Sequence, residues 1–135
     1  MTDFIKEMYE NAASIRKNSY SVYSNYKVGA CIRTEDNQLF SGTNVENASY
    51  SVTCCAETGA IMSMIGAGIT KIAEVLVIGS GSKICTPCGA CRQRIREFAD
   101  EKISIHCCNQ HGDMKSMTLG ELLPEAYGPE NLREC

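Results

Sequence analysis

Four residues in two separate segments constrain this chain more than any other feature. Cys55 and Glu57 lie about thirty residues before Cys88 and Cys91, which belong to a Pro-Cys-x-x-Cys motif. Three thiolates can hold a zinc ion and leave its fourth position to water, and a glutamate beside them can move a proton of that water. Any fold of this chain must therefore bring the two segments together, and the pattern indicates an open, catalytic metal site.

The size and charge of the chain limit its class. Its 135 residues predict one compact domain, residues 1–135, with a core that needs no disulfides. A net charge of -3 is unfavourable for contact with a nucleic-acid backbone, so we expect no nucleic-acid partner. The first residues lack the pattern of a signal peptide, and no apolar run has membrane-spanning length. We therefore expect a cytoplasmic protein without a membrane partner, whose nine cysteines are free or bound to metal.

Hydrophobic periodicity and turn residues predict helices interspersed with strands. Thr2 or Asp3 can cap a first helix, and a polar turn between the first two strands predicts a hairpin. Residues 72–79 are bulky and β-branched, which is typical of a buried central strand. This order favours a layered α/β domain. The predicted helices are 3–17, 56–66, 89–98 and 118–123, and the predicted strands are 27–33, 38–44, 72–79, 102–108 and 114–117.

The three candidate ligands are predicted at the starts of two helices. Cys55 precedes the second helix, while Cys88 and Cys91 begin the third and share one of its faces. The partial positive charge of a helix N-terminus lowers the pKa of a thiol and favours the thiolate. A closed structural site is the alternative, in which Cys85, Cys88 and Cys91 are joined by Cys54 or Cys55.

The pattern of a cysteine, one residue and a glutamate, followed by Pro-Cys-x-x-Cys, is the signature of zinc deaminases. Further segments resemble the cytidine deaminase family in the family's order and spacing, namely residues 23–30, 42–50, 87–93 and 122–129. Together they span nearly the whole chain. The resemblance implies a three-layer α/β/α sandwich with a mixed five-stranded sheet, one zinc per subunit, and a homotetramer with sites shared between subunits.

The resemblance also implies an activity and a role for each site residue. The activity is hydrolytic deamination of cytidine or 2′-deoxycytidine to the uracil nucleoside, with release of ammonia, as in pyrimidine salvage. Glu57 is then the catalytic acid and base, and zinc is held by Cys55, Cys88 and Cys91. The residues implied in substrate binding are Tyr26 at the pyrimidine, Ala56 at the base carbonyl, Asn44 and Glu46 at the ribose, and Tyr50 and Tyr127 from neighbouring subunits.

Three positions depart from the pattern of the family. Thr58 stands where members with three cysteine ligands usually carry arginine, whose charge offsets that of the thiolates. We expect either a weaker neutral hydrogen bond from Thr58 or compensation by another cation such as Arg92. Tyr26 and Tyr127 replace phenylalanine, so that each adds a hydroxyl near the pocket. These hydroxyls either have no effect on function or allow the pocket to admit a modified base.

Three other functions stay open at this point. A deaminase of a modified cytosine nucleoside such as blasticidin S shares the chemistry, although the intact segment 44–47 favours a nucleoside enzyme. The acidic charge disfavours a polynucleotide deaminase. A non-catalytic zinc-binding structural module is the alternative of another class. Outside the site, the side chains predicted to be buried and to pack as small apolar groups are those of Cys31, Cys54, Cys107 and Cys108. No role is given to Cys135, His106 or His111.

Overall fold

The computed structural model describes residues 2–133, so Cys135 lies outside the described residues. Its strands are β1 (Val28–Thr34), β2 (Leu39–Thr43), β3 (Ile72–Gly79), β4 (Ser104–Cys108) and β5 (Met114–Thr118). Its helices are α1 (Asp3–Arg16), α2 (Ala56–Gly66), α3 (Gly89–Glu97), α4 (Leu119–Leu122) and α5 (Pro129–Arg133). The strand order is β2-β1-β3-β4-β5, in which β3 and β4 are parallel and the other neighbours are antiparallel. The predicted mixed five-stranded sheet is thereby confirmed.

Side chains that alternate along the strands build two cores. Ala30 and Ile32 of β1 pack with α2 and α3, whereas Cys31 between them packs with α1 on the other face. Met8 and Ala12 of α1 are fully buried against that second face. Helices therefore cover both faces of the sheet, which confirms the three-layer α/β/α sandwich.

Helix ends follow local capping rules. The hydroxyl of Thr2 accepts a 3.3 Å hydrogen bond from the backbone N–H of Ile5, so that one donor of the first turn of α1 is satisfied. Thr118 and Glu121 form a capping box at the start of α4. Two short elements were not predicted, the 3-10 helix Tyr50–Val52 and α5. Among residues 2–133, every helix falls short of the length and apolar character that a membrane span requires.

Three of the four thiols predicted as buried are buried, and the fourth is not. Cys31, Cys107 and Cys108 are fully buried, whereas Cys54 is exposed. The prediction for Cys54 is wrong because its backbone pairs with that of Val45, itself half exposed, at the surface of the domain. Cys54 therefore lies on the segment that leads into α2, outside both cores.

A glycine sets the distance between α2 and the sheet. A Cβ atom on Gly42 of β2 would lie 2.3 Å from the backbone nitrogen of Ala60 and 2.4 Å from the carbonyl oxygen of Ala56. Real Cβ atoms do not approach backbone atoms so closely. The first turns of α2 therefore lie directly against β2, and this contact fixes the position of the helix start.

Candidate metal centre and active site

Three cysteine sulfurs converge where α2 and α3 begin. Cys55 is the N-cap of α2, Cys88 is the N-cap of α3, and Cys91 lies in the first turn of α3. Their Sγ atoms all lie within 4.8 Å of one another, and those of Cys55 and Cys88 are 3.8 Å apart. Sulfurs bound at about 2.3 Å to one tetrahedral zinc ion are about 3.8 Å apart, so the donor set fits zinc.

Hydrogen bonds among the thiols favour a thiolate at this centre. The hydrogen bond with Cys91 is the largest of the effects that lower the pKa of Cys55 to about 6, so Cys55 is mainly a thiolate at neutral pH. The same hydrogen bond and burial raise the pKa of Cys91. Because metal ligation requires thiolates, we expect metal affinity at these residues to rise with pH.

The four-thiolate arrangement considered from the sequence is not formed. Within residues 2–133, the side chains close enough to share one ion are those of Cys55, Cys88 and Cys91. Neither Cys54 nor Cys85 belongs to this group. Three sulfurs leave one position of a tetrahedral ion without a cysteine ligand, which is the arrangement expected of a catalytic site and not of a structural one.

Glu57 lies in the first turn of α2 and is only 3% exposed. Burial is the main cause that raises the pKa of Glu57 to about 7, and the negative charge of Cys55 adds to it. The hydrogen bond from the backbone N–H of Glu57 lowers the pKa, and a hydrogen bond with Cys91 and the charge of Arg94 add smaller effects in the same direction. A carboxyl group with this pKa can both accept and return a proton at neutral pH, as a general acid and base must.

Glu57 and two of the sulfurs line a cavity of about 230 Å³. Tyr26 forms part of its wall, and the contact of its ring with a pyrimidine stays a prediction. Ala56 is the first residue of α2, and backbone N–H groups of a first helical turn have no partner within the helix. Cys54 and Cys85 also line the cavity, although neither was predicted to lie against the substrate.

Asn44 lines the same cavity and holds the chain that leads into β1. Its side-chain oxygen accepts a 2.9 Å hydrogen bond from the N–H of Val28 and another from the hydroxyl of Ser19. Its amide nitrogen donates to the carbonyl of Tyr26 at 2.9 Å. Asn44 therefore fixes the backbone behind the aromatic wall, and its contact with a ribose hydroxyl stays a prediction.

Glu46 is held by the backbone that precedes Tyr26. One of its oxygens accepts from the N–H groups of Tyr23 at 3.0 Å and Ser24 at 3.1 Å, and the other accepts from the hydroxyl of Ser24. The Ser24 hydroxyl is the largest cause that lowers the pKa of Glu46. Glu46 lines a second cavity of about 380 Å³. The two cavities adjoin each other, as the presence of Thr53 in the walls of both shows. The role of Glu46 toward ribose stays a prediction.

Tyr50 and Tyr127 lie outside the cavity that contains Glu57. Tyr50 is 76% exposed, and its ring meets that of Tyr23 edge to face with centroids 5.9 Å apart. Tyr127 is 57% exposed, and its carbonyl accepts a 2.8 Å hydrogen bond from Gln93. Within one subunit neither ring reaches the cavity of Glu57, and the contribution of these rings to the site of a neighbouring subunit stays a prediction.

The expected substitutes for the missing arginine do not form. The hydroxyl of Thr58 is buried without a hydrogen-bond partner among residues 2–133, so it makes none of the hydrogen bonds expected of it. Arg92 donates from Nε to the carbonyl of Pro87 at 2.7 Å and from Nη1 to the carbonyl of Leu122 at 2.9 Å. Both hydrogen bonds of Arg92 go to backbone oxygens, and the one to Pro87 holds the turn that contains the Pro-Cys motif.

The arginine whose charge affects the pKa values of Cys55 and Glu57 is Arg94. Besides the hydrogen bonds and burial described above, the positive charge of Arg94 lowers the pKa of both Cys55 and Glu57. Arg94 lies three residues after Cys91 on α3, the spacing that puts two side chains on one helix face. That spacing was the signal in the sequence that could have identified Arg94.

Known proteins match the chain closely. Residues 2–107 match the model of one protein family, described as the cytidine and deoxycytidylate deaminase zinc-binding region. The chain is 40% identical over 114 residues to a cytidine deaminase of Mycoplasma genitalium, which covers 84% of this chain and 87% of that protein. It is 33% identical over 128 residues to a cytidine deaminase of Sporosarcina psychrophila, covering 95% and 94% of the two chains.

A solved structure extends the similarity to the fold. The crystal structure of cytidine deaminase from Burkholderia pseudomallei has a TM-score of 0.87 at 39% identity, covering 94% of this chain and all of that one. The matched family region includes Glu57 and the three converging cysteines, and it spans well over half of the residues. On this ground the chain belongs to the cytidine and deoxycytidylate deaminase family.

Proposed function

We propose that the protein is a zinc-dependent hydrolase that converts cytidine and 2′-deoxycytidine to uridine and 2′-deoxyuridine and releases ammonia. The observation that carries this proposal is the convergence of Cys55, Cys88 and Cys91 beside a buried Glu57 with a pKa of about 7. The relatives named above are cytidine deaminases, and they cover most of the chain. These observations favour cytosine nucleosides as the substrate class.

Glu57 performs the proton transfers in the proposed mechanism. Zinc held by the three cysteines would supply Lewis acidity, which lowers the pKa of water from near 16 toward about 7. As a water molecule attacks carbon 4 of the pyrimidine, Glu57 takes one of its protons and delivers it to ring nitrogen 3. Glu57 then takes the remaining proton from the hydroxyl on carbon 4 and gives it to the amine, so that the bond between carbon 4 and the amine breaks, ammonia leaves and the carbonyl of uracil forms. Burial supports both steps, because it keeps the pKa of Glu57 between those of an ordinary carboxyl and an amine.

The two adjoining cavities support an orientation of the substrate. In this proposal the base enters the cavity of Glu57, where the ring of Tyr26 packs against the pyrimidine and the N–H of Ala56 binds the base carbonyl. The sugar then lies toward the second cavity, and its hydroxyls bind Asn44 and Glu46. The carboxylate of Glu46 would repel a phosphate group, which favours nucleosides over nucleotides.

The proposal extends to the assembly of the protein. Residues 1–135 form a single domain, and four copies assemble in the cytoplasm with sites shared between subunits. The rings of Tyr50 and Tyr127 are exposed, which leaves both available for contact with another copy. Each ring would then reach the substrate cavity of a neighbouring copy. The molar mass of the protein in solution, measured by light scattering, tests the tetramer.

An ultraviolet deamination assay with several substrates tests the activity. Cytidine, 2′-deoxycytidine, cytosine, cytidine monophosphate and blasticidin S are compared on one preparation whose zinc content is measured. We expect about one zinc per subunit and turnover of the first two compounds. Turnover of blasticidin S alone would mean that the substrates are modified cytosine nucleosides and not cytidine. Neither the site nor the relatives favour that result. Zinc-loaded protein without turnover of any compound would contradict the proposed function.

A further inference from the structure

We propose that Cys85 is a positioning residue for the aromatic wall of the active site and that it acts through the hydroxyl of Tyr26. This inference rests on the proposed function, in which the ring of Tyr26 packs against the pyrimidine. Cys85 lies in the loop between β3 and α3, three residues before Cys88. It does not belong to the group of sulfurs that could hold the metal, so it has a separate role.

The hydroxyl of Tyr26 lies in a niche that a glycine creates. A Cβ atom on Gly79 would lie 2.3 Å from the Tyr26 hydroxyl oxygen, 3.0 Å from its Cζ and 2.8 Å from the Cβ of Cys85. A side chain on Gly79 would therefore expel the hydroxyl. Gly79 is buried at the end of β3, so the hydroxyl points into the protein.

The hydroxyl lies beside Cys85 in this niche, since both border the same point above Gly79. We infer that it donates a hydrogen bond to the sulfur of Cys85, whose thiol donates in turn to the carbonyl of Thr86 at 3.9 Å. Burial is the main cause that raises the pKa of Tyr26 to about 12, and the hydrogen bond to Cys85 adds to it. Burial also raises the pKa of Cys85, so both groups keep their protons at neutral pH.

The backbone of Tyr26 is held independently of its hydroxyl. Its N–H donates to the hydroxyl of Ser24 at 3.0 Å, and its carbonyl accepts from the amide of Asn44 at 2.9 Å. With the hydroxyl fixed at Cys85, both ends of the side chain are anchored and the ring has one orientation. The hydroxyl that distinguishes Tyr26 from phenylalanine therefore fixes the position of the wall.

Steady-state kinetics on zinc-loaded protein measure this coupling. Removing one neutral hydrogen bond from the wall weakens substrate binding, so we expect Tyr26→Phe and Cys85→Ala each to raise KM for cytidine about 3- to 10-fold. We expect kcat to change less than about 2-fold, since the wall acts on substrate and transition state alike. The double variant should resemble either single one, because both remove the same bond. Cys85→Ser keeps an acceptor and should retain most of the affinity.

Matched controls separate this effect from general damage. Tyr20→Phe removes the hydroxyl of a half-exposed tyrosine outside the cavity, and Cys31→Ala removes a buried thiol on the opposite face of the sheet. Neither should change KM.

A spectroscopic measurement tests the contact without relying on activity. In protein labelled with ¹³C at tyrosine Cζ, the signal of Tyr26 is the one lost in Tyr26→Phe. Because the Cζ shift responds to hydrogen bonding of the hydroxyl, we expect Cys85→Ala to move this signal and Cys31→Ala to leave it in place. The Tyr26 signal is assigned by comparing the spectra of the natural protein and Tyr26→Phe. In Cys85→Ser this signal should lie closer to its position in the natural protein.

The two measurements distinguish failure of the inference from failure of the proposed function. Natural protein that turns over no cytosine nucleoside contradicts the function, and the Cζ signal alone then decides whether Cys85 anchors Tyr26. With an active enzyme, KM effects that multiply in the double variant would overturn the proposal. An unmoved Cζ signal in Cys85→Ala would also overturn it. If Tyr26→Phe fails to fold, Cys85→Ala and Cys85→Ser still decide through KM.

Discussion

The Sγ atoms of Cys55 and Cys88 lie 3.8 Å apart, although 33 positions separate the two residues in the chain. Each occupies the N-cap position of its own helix, so the sheet that orders the two helices also sets the distance between the sulfurs. This separation is the one that two ligands of a tetrahedral zinc ion adopt. The metal would therefore join two helices that the rest of the fold already brings together.

Removing zinc should lower both activity and stability. A ligand that binds only the folded protein adds about 2.7 kcal/mol of stability when it is present at about 100 times its Kd. We therefore expect treatment with a strong chelator to abolish turnover and to lower Tm, and added zinc to restore both. Calorimetry before and after chelation measures the effect. A protein that keeps full activity after its zinc is removed would contradict the proposed chemistry.

Replacing Glu57 by glutamine should separate catalysis from metal binding. The amide has nearly the same shape but cannot accept and return a proton, and general acid–base catalysis contributes about 10²- to 10⁴-fold to a rate. We expect kcat of Glu57→Gln to fall at least about 100-fold while the zinc content stays at that of the natural protein.

The exposed Glu97 of α3 offers a control of the same chemistry. Glu97→Gln should keep normal turnover, because its side chain lies away from the cavity. Turnover of Glu57→Gln at the natural rate would show that another group transfers the proton, and zinc-binding without turnover in the natural protein would favour a non-catalytic module.

The glycine that brings α2 against the sheet should matter for the site. Because a Cβ on Gly42 would lie 2.3 Å from the backbone nitrogen of Ala60, Gly42→Ala must displace α2, which begins at the metal centre. We expect a loss of about 1–3 kcal/mol in the free energy of unfolding, the usual cost of overpacking, and reduced zinc affinity. Denaturant unfolding and zinc titration measure the two effects.

The same helix contains a matched control. Gly66 is the last residue of α2, and a Cβ on it would meet nothing within 4 Å. Gly66→Ala should therefore be neutral or stabilise the protein by up to about 1 kcal/mol. Equal effects of the two alanines would mean that the close approach at Gly42 does not constrain α2.

The metal centre could be predicted from the sequence because local rules place its residues. Caps and first turns put Cys55, Cys88 and Cys91 at helix starts, and the spacing of three residues puts Cys88 and Cys91 together. The buried strand at Ile72–Gly79 was likewise evident from its own composition. The local rules did not supply the meeting of the two helix starts, which followed from the need of one metal ion for ligands from both segments.

Contacts between distant segments could not be predicted. Cys54 was expected in the core, but its strand-like pairing with Val45 lies at the surface. The proximity of Tyr26 and Cys85 depends on the niche above Gly79, which exists only once β3 and the segment before β1 are packed together. The short α5 is joined to α3 by the ion pair of Arg96 with Glu130, and its five residues are too few to show a periodic pattern in the sequence.

Removing the charge of Arg94 should alter the pH dependence of the reaction. Burial mainly raises the pKa of Glu57 to about 7, and Arg94 limits that rise, so the pKa should increase further in Arg94→Gln. If Glu57 must be ionised to act as a base, the acidic limb of kcat/KM moves to higher pH. We expect a movement of less than about 1 pH unit, since an exposed charge acts mainly through water.

A second arginine of α3 provides the comparison. Arg96 pairs with Glu130, so Arg96→Gln removes the same charge from the same helix without acting on Glu57. Its profile should coincide with that of the natural protein. Coincident profiles for all three proteins would show that Arg94 does not replace the arginine usual at position 58, and Thr58→Arg would then be the variant expected to change the profile.

Glu74 should make the fold sensitive to acid at a point remote from the site. One of its oxygens accepts from Arg33 Nε at 2.8 Å, the other contacts His106, and His106 also bonds the hydroxyl of Ser116 at 2.6 Å. Burial by itself would raise the pKa of Glu74, but the hydrogen bonds with His106 and Arg33 prevail and lower it below 4.5. The carboxylate thus stabilises the fold above pH 4.5, and this contribution is lost as the pH falls through the lowered pKa.

Glu74→Gln should therefore cost the most stability near pH 7 and progressively less in acid. We expect a loss of about 1.5–3 kcal/mol in the free energy of unfolding at neutral pH, since Arg33 and His106 lose a charged partner. Denaturant unfolding from pH 7 to pH 3 measures the difference from the natural protein, with the exposed Glu97→Gln as the control. A difference that stays constant over this range would mean that the ionised carboxylate of Glu74 adds nothing to stability, and that its side chain matters only for packing.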